Sequence, residues 1–504
     1  MKRALFVLML AAATHAQELT LSDAIARALE QNADVVVERE SVQIAEANVL
    51  RANAAYEPAL RGDARLRKRT DPINSVLSGA PQGELAPTMR SLQTSASVVQ
   101  LLPTGGTLSV FSGVSRDETN SIFALLTPSW STNIGAEVRQ PLVQNRRTDP
   151  ARRAIRIARA DRTRALSSLR RTANEVTAAV ERAYWTAVAA RRDVEIRESA
   201  VTVADKQRED TRVRIEAGTL AESEVASTTA EVERRRGEVM VARENLTRAE
   251  NALRALIARD ANDPIWEQQF IWNDGLSARR GESRRAESPS LQIARAIGNR
   301  PELQELATRL ERQDVDIDAA VDRVRLQVDL VASYQSRGLA GTQNPDAFSP
   351  FGALPPHRDV TIFDHEYPEA TLGVSVAIPI GNTAAKQDVV IARALRRQSI
   401  AALDAARQRV ALEVRNALAA LASAEQRIEA AQAARAAAEV QLQAERDRFE
   451  AGTSNTFFIL TRQNELAAAQ LGELVAITDQ RKAETELARA TGTLLDERGI
   501  EVLP

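Results

Sequence analysis

Two long stretches of the chain contain no proline, and both carry the same four-residue phrase near the middle. Proline is absent between Ala151 and Asp263 and again between Ile380 and Leu503. The phrase is Glu-Ala-Gly-Thr, at residues 216–219 and 450–453, so the copies stand 234 positions apart. Because proline interrupts helices and glycine can reverse them, each stretch predicts a long helix, a tight turn and a returning helix. We expect one helical hairpin, present twice.

The 234-residue spacing extends into the helix before each turn. Small and apolar residues there alternate steps of four and three, which is the a/d seam of packed helices. The seam residues are Val176, Val180, Ala183, Ala187, Ala190 and Val194 in the first copy and Val410, Val414, Ala417, Leu421, Ala424 and Ile428 in the second. From Asp149 to Glu216 the first helix has 68 residues, on the order of 100 Å of length. Such a helix suits a hollow cylinder or a bridge.

A helix and then period-two alternation precede each long helix. The first helix is predicted from Leu21 to about Ala55, and its counterpart begins at Pro301. Strands with one apolar and one polar face follow near residues 60–67 and 326–333, and again near 133–139 and 371–378. The last strand of each half ends close to a proline, Pro141 or Pro379, which cannot donate to a ladder.

The first half has an additional hairpin, with strands at residues 94–101 and 107–114 around the turn 103–106. The remaining connections, at residues 70–90, 116–130 and 338–368, are long and rich in Pro, Gly, Asn and Asp. Short turns at one end and long loops at the other are typical of a transmembrane barrel.

The start of the chain predicts export. Lys2 and Arg3 precede an apolar run, and Thr14-His15-Ala16 places small residues where a signal peptidase reads. We therefore expect a signal peptide at residues 1–16, a first repeat at 17–261, a connector at 262–290 and a second repeat at 291–504. No later apolar run approaches the roughly 20 residues of a spanning helix. An exported chain of this kind is soluble outside the cytoplasm or enters a membrane as strands.

Composition argues against catalysis and cofactors. The chain has no cysteine, and 66 basic side chains nearly balance 68 acidic ones, so no thiolate site or polyanion partner is indicated. His357 and His365 lie in a loop rich in Pro and Asp, which favours a solvated loop over a metal site. The sequence contains no phosphate-binding glycine loop and no nucleophile elbow. We expect no enzyme, no metal and no cofactor.

The order of these features resembles the TolC family of outer-membrane efflux and secretion channels. The residues that carry the resemblance are the strand ends Val138-Arg139-Gln140-Pro141-Leu142 and Val376-Ala377-Ile378-Pro379-Ile380 and the two Ala-Gly-Thr turns. The resemblance implies a membrane α+β fold: a trimeric outer-membrane β-barrel continued by a long periplasmic α-helical barrel, with two structural repeats per chain. It also implies an adaptor and an inner-membrane transporter as partners, in tripartite efflux or type I secretion.

The number of strands per chain is open at this point. One chain has too few strands to close a water-filled barrel, and unpaired edges cannot face lipid, so closure needs other copies. Four strands per chain would give a trimer the twelve that the family has, and we favour that number. Six per chain would give eighteen, unless the additional hairpin extends existing strands.

The resemblance assigns roles to the turns. Gly218, Thr219 and Leu220 in the first turn and Gly452, Thr453 and Ser454 in the second are the expected adaptor contacts. Many family members carry an acidic constriction after the second turn, where this chain has Phe458 and Thr461. We therefore hypothesise an apolar constriction at Phe457 and Phe458, with Glu222 and Glu224 beside it. The alternative is that both phenylalanines pack between helices.

A soluble periplasmic coiled-coil scaffold without transport activity is the alternative for the whole protein. A scaffold would have no need of strands with a lipid-facing apolar side. The sequence does not distinguish among drugs, metals and proteins as substrates.

Overall fold

A computed structural model of the chain describes residues 17–72, 79–81, 84, 86–218, 220–272, 275, 277, 288–349, 352 and 356–502. The expected signal peptide at residues 1–16 lies outside these residues. The helices are α1 (Leu21–Gln31), α2 (Ala33–Asn53), α3 (Pro150–Glu216), α4 (Ser223–Ile257), α5 (Pro289–Asn299), α6 (Pro301–Val324), α7 (Thr383–Glu450), α8 (Thr456–Thr491) and α9 (Leu494–Glu497). The strands are β1 (Gln17–Glu18), β2 (Ala59–Thr70), β3 (Thr88–Leu101), β4 (Thr107–Thr119), β5 (Leu126–Pro141), β6 (Phe270–Ile271), β7 (Gln327–Gln343) and β8 (Tyr367–Ala377).

The predicted helical hairpins are present, because α3 returns as α4 and α7 returns as α8. The first helix of the chain, however, is not continuous as predicted. It breaks at Asn32, whose side-chain amide donates to the Leu256 carbonyl at 3.0 Å and whose side-chain oxygen accepts from the Asp34 N–H. The second half breaks at the corresponding place, between α5 and α6 at Arg300. Division of the chain into two repeats stays a prediction.

The chain separates into two compact units. The helical unit combines the residues up to Ile44 with Thr163–Thr308 and everything from Ile400 onward, and the sheet unit combines Ala45–Arg162 with Arg309–Ser399. Within the described residues, no helix is both long enough and apolar enough to cross a membrane.

The sheet unit contains one antiparallel sheet of six strands in the order β2-β3-β4-β5-β7-β8. The additional hairpin of the first half, β3–β4, pairs along its full length, from Met89 opposite Thr119 to Leu101 opposite Thr107. The four strands that we favoured from the family resemblance are therefore too few for the sheet of this chain. How many strands enter a closed barrel is a separate question.

The loop expected at residues 116–130 is shorter than predicted, because β4 continues to Thr119 and β5 begins at Leu126. Past the apolar band both faces of these strands carry polar side chains, such as Arg116 beside Asp117, so the period-two signal disappears while the ladder continues. The prolines lie where predicted. Pro141 is the last residue of β5, and β8 ends two residues before Pro379.

The core of the helical unit is an aromatic and aliphatic cluster around Tyr184. This side chain is fully buried, donates its hydroxyl to the Leu19 carbonyl at 3.1 Å, and packs edge-on against Trp185 and Trp272. Trp272 follows β6, which pairs in parallel with β1 at the start of the described residues. The connector expected at residues 262–290 thus contributes to a core, as far as it is described.

Ionic contacts attach this connector to the first helix. The Asp263 carboxylate accepts from one Arg27 nitrogen at 2.8 and 3.1 Å. Hydrogen bonds from the backbone N–H groups of Arg259 and Ile265, together with Arg27, hold the pKa of Asp263 below its ordinary value. Asp263 also caps the short turn of 3₁₀ helix at Pro264–Trp266.

The seam contains a buried charge that the sequence pattern did not reveal. Of the twelve seam residues, all but Ala183 and Ala190 are buried. Glu181 lies among them on α3 and is 0% exposed. Its carboxylate accepts from the Thr485 hydroxyl of α8 at 2.7 Å and from Arg498 Nε at 2.6 Å. This carboxylate joins the first hairpin, the second hairpin and the C-terminal segment.

Replacing this carboxylate tests its importance. Glu181→Gln removes the charge that Arg498 and Thr485 share, and we expect the free energy of unfolding to fall by about 2 kcal/mol. Glu198→Gln on the same helix is the matched control, because the Glu198–Arg243 pair is largely exposed and should contribute less than about 1 kcal/mol. Equal denaturation midpoints for the two variants in urea would contradict this assignment.

Candidate functional site

The first hairpin turn is an exposed helix reversal. At the end of α3 the Gly218 N–H donates to the Ile215 carbonyl at 2.8 Å, and Gly218 adopts a φ of 74°. A positive φ favours glycine because a Cβ is strained there. In the described chain no atom lies within 4 Å of where that Cβ would sit, so the conformation, and not crowding, calls for glycine. Leu220 is half-buried, and Thr219 lies outside the described residues.

The glycine of the second turn has nearly the same φ as Gly218. Gly452 adopts a φ of 76° and donates to Phe449 at 3.1 Å, while the Thr453 N–H donates to Arg448 at 2.9 Å. These two bonds form a Schellman motif, which satisfies the last carbonyls of α7. Asn455 then caps α8 by accepting from the Phe458 N–H at 3.2 Å. The turn is therefore a hydrogen-bonded reversal that presents Thr453 to solvent.

Two phenylalanines project from the first turn of α8. Phe457 is 68% exposed and Phe458 is 48% exposed, and their rings meet edge-to-face with centroids 5.6 Å apart. Helices of the same chain bury neither ring, and the assignment of both rings to a constriction or to packing between helices stays a prediction. Thr461 lies one turn further on and donates its hydroxyl to the Phe457 carbonyl at 2.9 Å. Its hydroxyl is thus engaged with its own helix.

The two glutamates after the first turn differ in environment. Glu222 is exposed and precedes α4 without a side-chain capping bond. Glu224 lies half-buried in the first turn of α4, where the helix dipole favours a negative charge. The structure places both at the first turn and both phenylalanines at the second.

A network of buried hydrogen bonds joins the two hairpins near their turns, and sequence reasoning missed it. Arg235 on α4 is 3% exposed. Its guanidinium donates to Glu231 at 2.7 Å, to the Ala200 carbonyl at 2.9 Å and to Asn464 of α8 at 3.2 Å. Burial opposes ionisation of Glu231, but hydrogen bonds from Arg234 and Arg235 outweigh it and hold the pKa of Glu231 below its ordinary value.

A cation–π contact makes a second connection between the hairpins. The Arg214 guanidinium of α3 lies 4.4 Å from the ring centroid of Phe449, a buried residue of α7. In the sequence, a buried arginine that lies among other glutamates and arginines cannot be distinguished from an exposed charged residue. The sequence signal that could have indicated the buried arginine is the run of three consecutive arginines, Arg234, Arg235 and Arg236, on a helix that must pack against a neighbouring helix.

The apolar face of the sheet is the other candidate surface. It carries the row Leu60, Val98, Val110, Ala136, Tyr334 and Ala370, matched residue to residue across all six strands. The apolar side chains of this face are most exposed on the edge strands, where Leu372 of β8 is 78% exposed. The opposite, polar face carries Arg61, Ser97, Phe111, Gly135, Gln335 and Glu369 in the neighbouring row. A sheet with one apolar and one polar side suits a wall between lipid and water.

The histidines form no metal centre in the part of the chain that the structure describes. His357 lies 3.1 Å from Asp359, and His365 contacts the Tyr334 hydroxyl at 3.1 Å. No group of three His, Cys, Asp or Glu side chains among the described residues could hold a metal ion.

Comparison with known proteins connects this geometry to a family. Residues 292–493 match the family model described as outer membrane efflux protein. The second half of the chain therefore carries an outer membrane efflux protein domain. The resemblance to the TolC family is thereby confirmed, and the chain is an outer-membrane channel protein with its helices in the periplasm. The family is one of channels and not of enzymes. No curated protein matches the sequence.

Solved structures of other channels share the fold of this efflux protein. The outer membrane protein VceC from Vibrio cholerae is 14% identical, covers 94% of this chain and 96% of its own, and superposes with a TM-score of 0.63. The CusC channel is 18% identical, with coverages of 95% and 93% and a TM-score of 0.62. The Neisseria gonorrhoeae MtrE outer membrane channel, in its open state, is 18% identical, with coverages of 94% and 89% and a TM-score of 0.58.

The buried network predicts a local, pH-dependent stability near the turns. Arg235→Met leaves Glu231 without its buried partner, and we expect residues 226–240 to lose about 3 kcal/mol of protection against amide hydrogen exchange. Because the pKa of Glu231 is lowered on folding, the stabilisation is full above about pH 4.3 and is lost as the pH falls through the folded-state value. Arg236→Met, at a neighbouring exposed ion pair, is the control. Unchanged exchange in the Arg235 variant would exclude a stabilising role.

Proposed function

We propose that three copies of this efflux protein close one barrel in the outer membrane and continue it across the periplasm as a helical tunnel. In this proposal the channel receives substrates from an inner-membrane transporter through a periplasmic adaptor, in tripartite efflux or in type I secretion. The transporter selects the cargo, and the channel supplies the passage. The observation that carries the proposal is the pair of open sheet edges, β2 and β8.

Each edge strand presents a row of backbone donors and acceptors. Among the described residues, β2 pairs with β3 alone and β8 pairs with β7 alone. Hydrocarbon offers no hydrogen bonds, so such edges must be paired inside a bilayer. Six strands also curve too little to close on themselves around water. Pairing β2 of one copy with β8 of the next satisfies both edges at once.

The turns are the proposed adaptor contacts. Gly218, Gly452 and Thr453 are exposed, and each glycine ends its helix with a positive φ. Exposed groups at the end of a long hairpin are accessible to a partner. Thr219, Leu220 and Ser454 belong to the same proposed contact.

Site-specific photocrosslinking tests this contact. A photoreactive residue at Leu220 or Thr453 should capture the adaptor in cells that contain the whole assembly. Leu412 is the matched control, because it is exposed on α7 about 40 residues before the turn, roughly 60 Å away along a helix. Capture from Leu412 with none from either turn would contradict docking at the turns.

We further propose that Phe457 and Phe458 narrow the periplasmic end of the tunnel, with Thr461, Glu222 and Glu224 beside them. Support comes from their exposure in the single chain, which leaves both rings available to a neighbouring copy or to the lumen. An apolar ring at this point would slow hydrated ions by dewetting. The acidic charge then lies at the first turn instead of the second.

Single-channel recording tests the constriction. Phe458→Ala removes an apolar ring from the narrowest point, so conductance in planar bilayers and antibiotic passage in cells should both rise. Val475→Ala, an exposed apolar truncation further along α8, is the control and should leave both unchanged. If conductance and passage stay at the parental level in the Phe458 variant, these rings do not limit the channel.

A further inference from the structure

We infer that the barrel of this channel is closed by eighteen strands, six from each of three copies, and not by the twelve that the family resemblance implied. This inference rests on the trimer proposed above. It concerns which edge strands meet between copies and how wide the resulting pore is.

The six strands form a single continuous wall. β2 pairs with β3 over twelve consecutive positions, from Ala59 opposite Val99 to Thr70 opposite Thr88. The shortest of the six, β8, has 11 residues, and β7 has 17. A tilted strand needs about 9–11 residues to cross a bilayer. Each strand is therefore long enough to span, including both strands of the hairpin that has no counterpart in the second half.

The additional strands also have the side-chain pattern of a barrel wall. Val98 of β3 stands opposite Leu60 on one side and Val110 of β4 on the other, all on the apolar face. Ser95 and Gly113 stand opposite each other on the polar face. A hairpin that folded away from the wall would leave Leu92, Val98 and Val110, which are already exposed in the single chain, in contact with water.

A barrel with more strands is proportionally wider. Neighbouring strands lie about 4.8 Å apart and tilt by about 40°, so the wall radius is about 12 Å for twelve strands and about 18 Å for eighteen. Side chains occupy about 5 Å of that radius, half the spacing between packed sheets. The free diameter is then about 26 Å instead of about 14 Å.

The width has a consequence for cargo. An α-helix with its side chains is about 10–12 Å across. A twelve-stranded barrel would pass about one helix, whereas an eighteen-stranded barrel admits two side by side. The outer-membrane barrel therefore does not set the size limit in this channel, and that limit is left to the helical end, where Phe457 and Phe458 are exposed.

Disulfide crosslinking between copies identifies the strands that meet. The chain has no cysteine, so introduced pairs act alone. Leu372→Cys on β8 is combined in turn with Gly62→Cys, Ala64→Cys or Leu66→Cys on β2, a series that covers the unknown register. Four strands separate β2 from β8 within one chain, roughly 24 Å and far beyond the reach of a disulfide. Any bond formed is therefore between copies.

The competing closure defines the control series. If the barrel held twelve strands, the contiguous set β4-β5-β7-β8 would close by β4 against β8 of the next copy. Leu372→Cys combined with Val110→Cys or Ser112→Cys on β4 reports that arrangement. We expect crosslinked oligomers from the β2 series and none from the β4 series. Crosslinks from the β4 series and none from the β2 series, in a protein that native mass spectrometry shows to be trimeric, would overturn the eighteen-stranded barrel. The proposed trimer would still stand.

Pore width gives an independent measurement. Poly(ethylene glycol) of about 10 Å hydrodynamic radius, added at the extracellular side of the reconstituted channel, should enter an eighteen-stranded barrel and lower its conductance. Exclusion of such polymers overturns the inference of a wide pore. Absence of a trimer by mass would instead count against the proposed assembly itself.

Discussion

Backbone hydrogen bonding at the two edges of the sheet sets the conditions for the rest of this molecule. A lipid-facing strand must pair on both sides, and β2 and β8 each lack one partner within the described chain. In this antiparallel sheet of six strands, β2 and β8 run in opposite directions. The β2 strand of one copy can therefore pair antiparallel with β8 of the next, and identical copies satisfy both edges. The apolar face then needs no cover from the chain itself, which explains why Leu60, Leu66 and Leu372 remain exposed. An exposure that would promote aggregation of a soluble protein is the expected surface of a barrel wall.

In the helical unit the backbone hydrogen bonds are made within each helix, so the constraint is a different one. Its long helices lie in water and must be held in one register relative to each other. Aromatic residues make up 4% of the sequence, and the seam consists largely of alanine and valine. Such a seam allows helices to slide because its knobs are small and alike. Buried charges at Glu181 and Arg235 remove that freedom, since each is satisfied at one position of the neighbouring helices.

Sequence reasoning recovered what depends on local pattern and missed what depends on neighbours. The a/d seam, the glycine reversals at Gly218 and Gly452 and the strand ends at Pro141 and Pro379 follow from periodicity and backbone preference, and the structure contains them. The break at Asn32 did not follow, because it depends on a carbonyl more than two hundred residues away. The ends of β4 and β5 were missed because alternation fades beyond the apolar band. Arg235 was indistinguishable from its exposed neighbours Arg234 and Arg236, since burial of a charge depends on partners that a linear pattern does not display.

The two hairpin turns show how far conformation and chemistry can separate. Both reversals need glycine at one position, and both hold nearly the same φ, because a helix end imposes the same geometry wherever it occurs. The side chains that flank this glycine differ between the two turns. The first turn carries Glu222 and Glu224 and the second carries Phe457 and Phe458. In a ring of three chains the two kinds of turn would alternate, so acidic and apolar surfaces would alternate around the tunnel mouth. A partner that docks there would meet six helix reversals of two chemistries, and we expect this difference in chemistry to fix its orientation.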